Sequence, residues 1–265
     1  MVEANQQPEQ VNSDTERAIQ ETVRLIRDAR HLVAFTGAGI SVESGIPPFR
    51  GKDGIWEKID PMEYAHIDAF MRDPGKVWDV LIRGMKDVVD QALPNDAHKG
   101  LARLEELGII KTVITQNVDG LHQAAGSTDV IEFHGNFAWQ SCLDCGRRCP
   151  TRTVAMDRLP PRCTCGGILR PECVFFGEQI PPQHLSRSQL LAMQCDVMLV
   201  IGTSATVQPA ATIPIISKQS GARVIEINTE PTPLTHSVSD YLIAGRAGEV
   251  MRRIVTEVER KKRQG

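Results

Sequence analysis

Residues 31–41 read HLVAFTGAGIS, a short apolar run that stops at Gly37 and passes into a small, polar helix start. An apolar run of this length bounded by glycine reads as a strand buried on both faces. A strand that ends in glycine and feeds a helix is the entry of a nucleotide-binding α/β unit. The glycines let the backbone approach a pyrophosphate, and the helix start presents its free amides. Working outward, three further runs have the same character: KTVIT at 111–115, DVMLVI at 196–201 and RVIEI at 223–227. Helical spacing begins near Asp14, with Ile19, Val23, Leu25 and Ile26, and returns over 97–107, 209–219 and 247–262. Strands alternating with helices predict an α/β fold, a Rossmann-like parallel sheet with helices on both faces.

Two regions break the alternation. Residues 51–94 carry helical pieces but no buried strand, and residues 138–170 are rich in Cys, Gly, Pro and Arg. The expected organisation is therefore a Rossmann-type domain made of 15–50, 95–137 and 171–265, a helical insert at 51–94 and a small module at 138–170. Residues 1–14 are polar and acidic, without the basic start and apolar run of a secretion signal, and are expected to be disordered. The basic end of the last helix, ERKKRQ, reads as a solvated face. Thirty Lys and Arg against 33 Asp and Glu leave no charge that demands nucleic acid or an anionic membrane. No apolar stretch approaches the ~18 residues of a membrane span. The sequence leaves the oligomeric state open and points to a cytoplasmic protein.

The small module cannot bury a core of its own and needs a staple. Cys142-Leu-Asp-Cys145 and Cys163-Thr-Cys165-Gly-Gly supply one. Two close cysteine pairs on two turns can close a tetrahedron around zinc, and four thiolates leave no open position, so the site is structural. Cys149 is a competitor for one ligand place. Cys173 and Cys195 flank apolar segments and read as packed thiols.

The glycine motif departs from that of a dehydrogenase. The third glycine of that fingerprint would fall at Val42, and SGIPPFR at 44–50 stands where a ribose-binding acid would follow a second strand. Three more polar segments sit at strand ends: QNVDGLH at 116–122, Gly202-Thr203-Ser204 and Asn228-Thr229-Glu230. Open α/β sheets bind ligands at the carboxyl ends of their strands, so four such ends can line one crevice.

In order and spacing, GAGISVESGIPPFR (37–50), TQNVDGLH (115–122), FHG (133–135), the cysteine pairs, VFFGE (174–178), GTS (202–204) and INTE (227–230) resemble the sirtuins over about residues 15–260. The resemblance implies an NAD-dependent protein-lysine deacylase. Its parts would be an NAD-binding Rossmann-type domain, a zinc ribbon with one structural zinc and a helical insert, and its partner an acyl-lysine protein or peptide. It implies that Gly37, Ala38, Gly39 and Ser41 hold NAD near its phosphates, with Arg50 supplying charge, and that Phe49 shields the reactive sugar carbon. Gln116 would meet the nicotinamide ribose, and Asn117 and Asp119 the carboxamide. Gly202, Thr203 and Ser204 would bind phosphate, Asn228, Thr229 and Glu230 the adenosine side, and Ala247 the adenine. His134 would be the general base, since imidazole titrates near neutrality. His122 reads as structural. Val174, Phe175, Phe176, Gly177 and Glu178 would pair with an extended substrate and shape an acyl tunnel. A mono-ADP-ribosyltransferase using the same NAD site is the rival activity, and an NAD-holding module without turnover the rival outside catalysis.

Two departures stand out. The family usually places Asp before the Phe-Arg of the first motif, where this chain has Pro48; altered loop rigidity is expected rather than loss of activity. Sirtuins that remove succinyl or malonyl groups carry Tyr-x-x-Arg in the insert. The matching segment, VWDVLIRGMK at 77–86, has no tyrosine. An unpartnered buried carboxylate costs several kcal/mol. A neutral acyl group running along Leu81, Ile82 and Met85 is therefore expected.

Overall fold

The computed structural model describes residues 8–51 and 53–264. Nine strands form two sheets: β1 (Leu32–Thr36), β2 (Ile110–Thr115), β3 (Val130–Glu132), β4 (Gly135–Cys142), β5 (Arg148–Pro150), β6 (Leu169–Cys173), β7 (Val197–Ile201), β8 (Arg223–Asn228) and β9 (Tyr241–Ala244). The larger sheet has the order β3-β2-β1-β7-β8-β9, and every neighbouring pair is parallel.

All residues of β1 and β7 are buried, because successive side chains point to opposite faces and both faces are covered. Leu32 and Ala34 face one core with Leu199, Ile225 and the helices Pro8–Asp28, Asp96–Glu106 and Ala247–Gln264. Val33 and Phe35 face the other with Val200, Val224 and the helices Pro182–Gln194 and Thr212–Gln219. Each fully buried aliphatic or phenyl side chain contributes about 1.5–3 kcal/mol. The two cores together fix the sheet's register.

The four strands expected from the sequence are present within a residue or so, and the structure adds β3 and β9 as short edges. The helix expected from Asp14 starts earlier, at Pro8. Part of the segment expected to be disordered is therefore helical, and residues 1–7 lie outside the described residues. Proline is tolerated at a helix start, where its missing N–H costs nothing, and no breaker follows before Asp28. The helix Pro182–Gln194, which the sequence reading did not place, covers the second core with Leu185, Leu191 and Ala192.

The insert is a run of short helices, from Ile55–Lys58 to Arg83–Gln91, with a widened π turn at Trp78–Ile82. Trp78 is fully buried and donates its indole N–H to the carbonyl of Leu169 at 3.0 Å, tying the insert to β6. The small sheet, β5-β4-β6, is antiparallel. Its pairing runs from Gly135 to Cys173, a few residues beyond 138–170 on either side. Among the described residues no helix is long and apolar enough to cross a membrane.

The chain leaves β1 for β2 on one side and later returns to β7 on the other. The loops after β1 and β7 thus separate at a topological switch point, where open sheets offer a crevice. Backbone hydrogen bonds join them. Gly37 N donates to Ile201 O at 3.0 Å and Gly39 N to Gly202 O at 2.7 Å. A Cβ on Gly39 would lie 2.7 Å from Gly202 Cα, and one on Gly37 2.8 Å from Thr203 Cβ. Gly202 has φ +61°, and a Cβ there would overlap the backbone of Gly39 and Ile40. Gly202→Ala should therefore cost about 3 kcal/mol or more through left-handed strain and backbone overlap. Urea denaturation measures this, and an unchanged midpoint would contradict it.

Candidate functional site

A cavity of about 610 Å³ opens at the carboxyl ends of β1, β2, β7 and β8 and extends toward the insert. Of the residues expected there, Gly37, Ala38, Gly39, Phe49, Arg50, Gln116, Asn117 and His134 line it. So do Gly202, Thr203, Ser204, Asn228, Thr229, Glu230, Ala247 and the whole of 174–178. The segment after Gly37 is a 3-10 helix, Ala38–Ser44, rather than an α-helix. Its glycines serve first the approach of two protein loops and only then any ligand.

Ser41 and Asp119 do not line the cavity. They meet behind its wall, where Ser41 Oγ donates to Asp119 Oδ2 at 2.7 Å. Ser41 is 1% exposed. Ser41, expected near the phosphates, links the glycine loop to the 116–122 loop. Burial pushes the Asp119 carboxyl above its ordinary value, opposed by bonds from Leu121 N and Ser41. Asn117 is also held from behind. Its Nδ2 donates to Gly37 O at 3.2 Å and to Ser41 Oγ at 3.1 Å, and its backbone N–H donates to Thr115 Oγ1 at 3.1 Å. With both amide protons engaged, Oδ1 is the atom left to accept from a ligand.

Gln116 Nε2 donates to Thr203 Oγ1 at 2.9 Å, joining the ends of β2 and β7. Asn228 Nδ2 donates to Thr203 O at 2.9 Å, joining β8 to the same loop. The loop 229–240 is tied down by Glu226, 1% exposed, which accepts from the hydroxyls of Thr232, Thr235 and Ser239.

His134 sits just after β3. Its Nδ1 lies 3.0 Å from Gln116 O, and its own carbonyl accepts from Val174 N at 2.8 Å. A carbonyl can only accept, so Nδ1 carries the proton and Nε2 keeps a free lone pair. Burial lowers the His134 pKa from 6.5, and the bond to Gln116 partly opposes this.

Residues 174–178 form an irregular connection rather than a strand. Phe176 N donates to Ala65 O and Phe176 O accepts from Ile67 N, so one edge is already paired with the insert. Glu178 accepts from both terminal guanidinium nitrogens of Arg170 at 2.7 Å and from Phe175 N at 2.9 Å. It fixes the turn. Trp56 lines the cavity although nothing in the sequence pattern marked it. It stacks on Phe49 at 5.2 Å, and an aromatic seven residues past Phe49 was the available signal. Pro48 lines the cavity too, and its carbonyl accepts from Ile55 N, starting the insert's first helix.

The sulfurs of Cys142, Cys145, Cys163 and Cys165 all lie within 4.8 Å of one another, and none forms a disulfide. Cys142–Cys165 and Cys145–Cys165 are 3.5 Å apart and Cys145–Cys163 3.8 Å. Thiolates about 2.3 Å from a tetrahedral zinc stand about 3.8 Å apart, so the set fits. A Cβ on Gly167 would lie 2.6 Å from Cys142 Sγ, which explains that glycine. Cys149, on β5, is outside the cluster.

The sequence model described as the Sir2 family matches residues 37–209. The chain belongs to the Sir2 family. NAD-dependent protein deacylase 2 of Pyrobaculum aerophilum is 48% identical over 240 residues, covering 90% of this chain and 95% of that one. NAD-dependent protein deacylase 1 of Archaeoglobus fulgidus is 46% identical over 242 residues, covering 91% and 98%. Among solved structures, a Sir2 homologue bound to NAD aligns with TM-score 0.84 at 45% identity over 91% of this chain and 94% of that one. A Sir2 complex with a p53 peptide and NAD aligns with TM-score 0.81 at 36% identity, over 90% and 98%.

For this Sir2 family chain, the four-sulfur site should bind one zinc per molecule. Cys163→Ser should lower both metal content and thermal midpoint, whereas Cys149→Ser should leave metal content unchanged, as read by elemental analysis and calorimetry. Equal metal loss in both variants would place Cys149 in the site.

Proposed function

We infer that the chain is an NAD-dependent protein-lysine deacylase acting on neutral acyl groups. One observation carries this reading: a single cavity joins glycine loops suited to a pyrophosphate to an apolar end in the insert, with His134 and Asn117 on its wall. The family relatives support it, being deacylases by name.

Bound NAD supplies an electrophilic ribose carbon with nicotinamide as leaving group. The chain's own residues do the rest. The backbone at Gly37–Gly39 and Gly202, with Thr203, Ser204 and Arg50, offers donors and charge to phosphates. Asn117 Oδ1 accepts from a carboxamide. Phe49, stacked on Trp56, keeps water from the sugar. His134 Nε2 takes a proton from a ribose hydroxyl. Asn228, Thr229, Glu230 and Ala247 receive the adenosine half. Residues 174–178 receive the substrate backbone on the edge that Ala65 and Ile67 leave open. His134 favours deacylation over ADP-ribosyl transfer, which has less need of a base for the ribose hydroxyl.

The insert contributes Trp56, Ala65, Leu81, Ile82 and Met85 to the wall, none of them charged. Lys86, the next cation in sequence, is bonded to Asp90 and lines a second cavity instead. An acyl carboxylate would stay unpaired there, at a cost of several kcal/mol.

Mass spectrometry of an acetyl-lysine peptide incubated with NAD tests the activity. Free lysine plus acyl-ADP-ribose is expected, and an ADP-ribosylated protein without free lysine would favour the transferase. In the same assay succinyl-lysine should react at least about 100-fold more slowly than acetyl-lysine, and a preference for succinyl would overturn the neutral-acyl reading. The base must be neutral to act. Because burial lowers its pKa, kcat/KM should hold through neutrality and fall only below about pH 6.5, and His134→Ala should abolish turnover. An acid limb above pH 7 that remains in wild type would contradict this.

A further inference from the structure

Behind Asn117 lies a buried polar cluster that the chemistry above does not use. His98 belongs to the helix Asp96–Glu106 and His122 to the short helix Leu121–Ala124, and both are fully buried. Their rings meet edge-on at 4.9 Å. Fully buried histidines are usually inert packing. Here their partners fix where each proton lies.

His98 Nδ1 faces the backbone N–H of Asn95 at 3.4 Å, inside a capping box in which Asn95 Oδ1 accepts from Ala97 N. A backbone N–H can only donate, so Nδ1 is unprotonated and Nε2 bears the hydrogen. Nε2 lies 3.4 Å from Ser41 Oγ. Ser41 Oγ also accepts from Asn117 Nδ2. With both lone pairs taken, its single proton can go only to Asp119. His122 follows the same logic. Thr36 Oγ1 gives its proton to Thr115 Oγ1 at 2.9 Å, so His122 Nε2, 2.9 Å from Thr36 Oγ1, must donate. Its Nδ1 has no partner among the described residues, which suits a lone pair better than an orphaned N–H. Burial takes His98 down to about 4 and His122 to about 3, so both stay neutral donors across the working range.

The two relays end on one residue. His98 acts through Ser41 on the side-chain amide of Asn117, and His122 acts through Thr36 and Thr115 on its backbone N–H. We propose that His98 and His122 are a pair of positioning residues whose Nε2–H groups set the hydroxyl directions of Ser41 and Thr36 and thereby hold Asn117 with Oδ1 toward the cavity. The proposal rests on the deacylase reading for its rate effects but not for its geometry.

Nitrogen-15 NMR of the full chain tests the geometry without activity. Both rings should show the Nε2–H tautomer from pH 5 to 9, and an Nδ1–H tautomer or a protonated ring on either would overturn the proposal. Substitution tests the consequence. His98→Phe keeps the ring volume without a donor, His98→Gln keeps a donor near Nε2, and His98→Asn places one near Nδ1. The phenylalanine and asparagine variants should lose at least tenfold in nicotinamide exchange and kcat, with KM for the acyl peptide unchanged. The glutamine variant should recover most of that loss. If packing alone matters, His98→Phe will match wild type, or the three variants will fall in proportion to their melting points, and either result refutes the relay. A wild-type protein that shows the expected tautomers yet releases no nicotinamide would overturn the deacylase reading and leave the geometric assignment standing.

Discussion

The structure depends on two backbone loops lying in contact. The turns after β1 and β7 cross at the switch point of the sheet, and Gly37, Gly39 and Gly202 supply the only side-chain size that permits it. Two interloop hydrogen bonds, at 3.0 and 2.7 Å, then fix their spacing, and a third from Gly202 N to Ile227 O brings in β8. Three strand ends are thereby locked before any side chain contributes. Thr203 is placed to receive Gln116 and Asn228, and Ser41 is placed to receive Asn117 and to reach Asp119. The apolar cores on the two faces supply most of the stabilising energy, but they would tolerate exchange of one aliphatic residue for another far better than this crossing tolerates a methyl group.

The sheet was legible because strands buried on both faces carry dense β-branched and aliphatic runs, as β1 and β7 do throughout and β2 and β8 do at their centres. The edges β3 and β9 are only three and four residues long and leave no periodic signal. The helix Pro182–Gln194 starts on proline and carries scattered polar residues, so its buried stripe is diluted. The small module's limits lay beyond its cysteines because β4 and β6 continue into the sheet's connections at Gly135 and Cys173. Sequence order likewise pointed to most of the residues that line the cavity but could not give their direction. Ser41 follows Gly39 by two positions, and in the tight 3-10 turn that separation points its hydroxyl inward rather than into the cavity. His98 carried no legible role, since its meaning depends on Ser41, 57 residues away in the chain.

The same division explains how the site splits its recognition. The glycine-lined end of the cavity is built from strand ends of one continuous sheet, so the core fixes its geometry. The apolar end of the cavity is built from the insert and residues 174–178, which are held by contacts with each other and with the small sheet. Trp78 bonds to β6, Phe70 packs on Phe175 at 5.1 Å, and Phe176 pairs with Ala65 and Ile67. Neither part has a core that would stand alone, and the cysteine cluster anchors the sheet to which both are tied. Changes at Leu81, Ile82 or Met85 alter the apolar end of the cavity wall and leave the glycine crossing untouched. Under the proposed function, acyl preference would therefore be set on this scaffold separately from cofactor geometry, by the insert residues rather than by the motifs that identify the family.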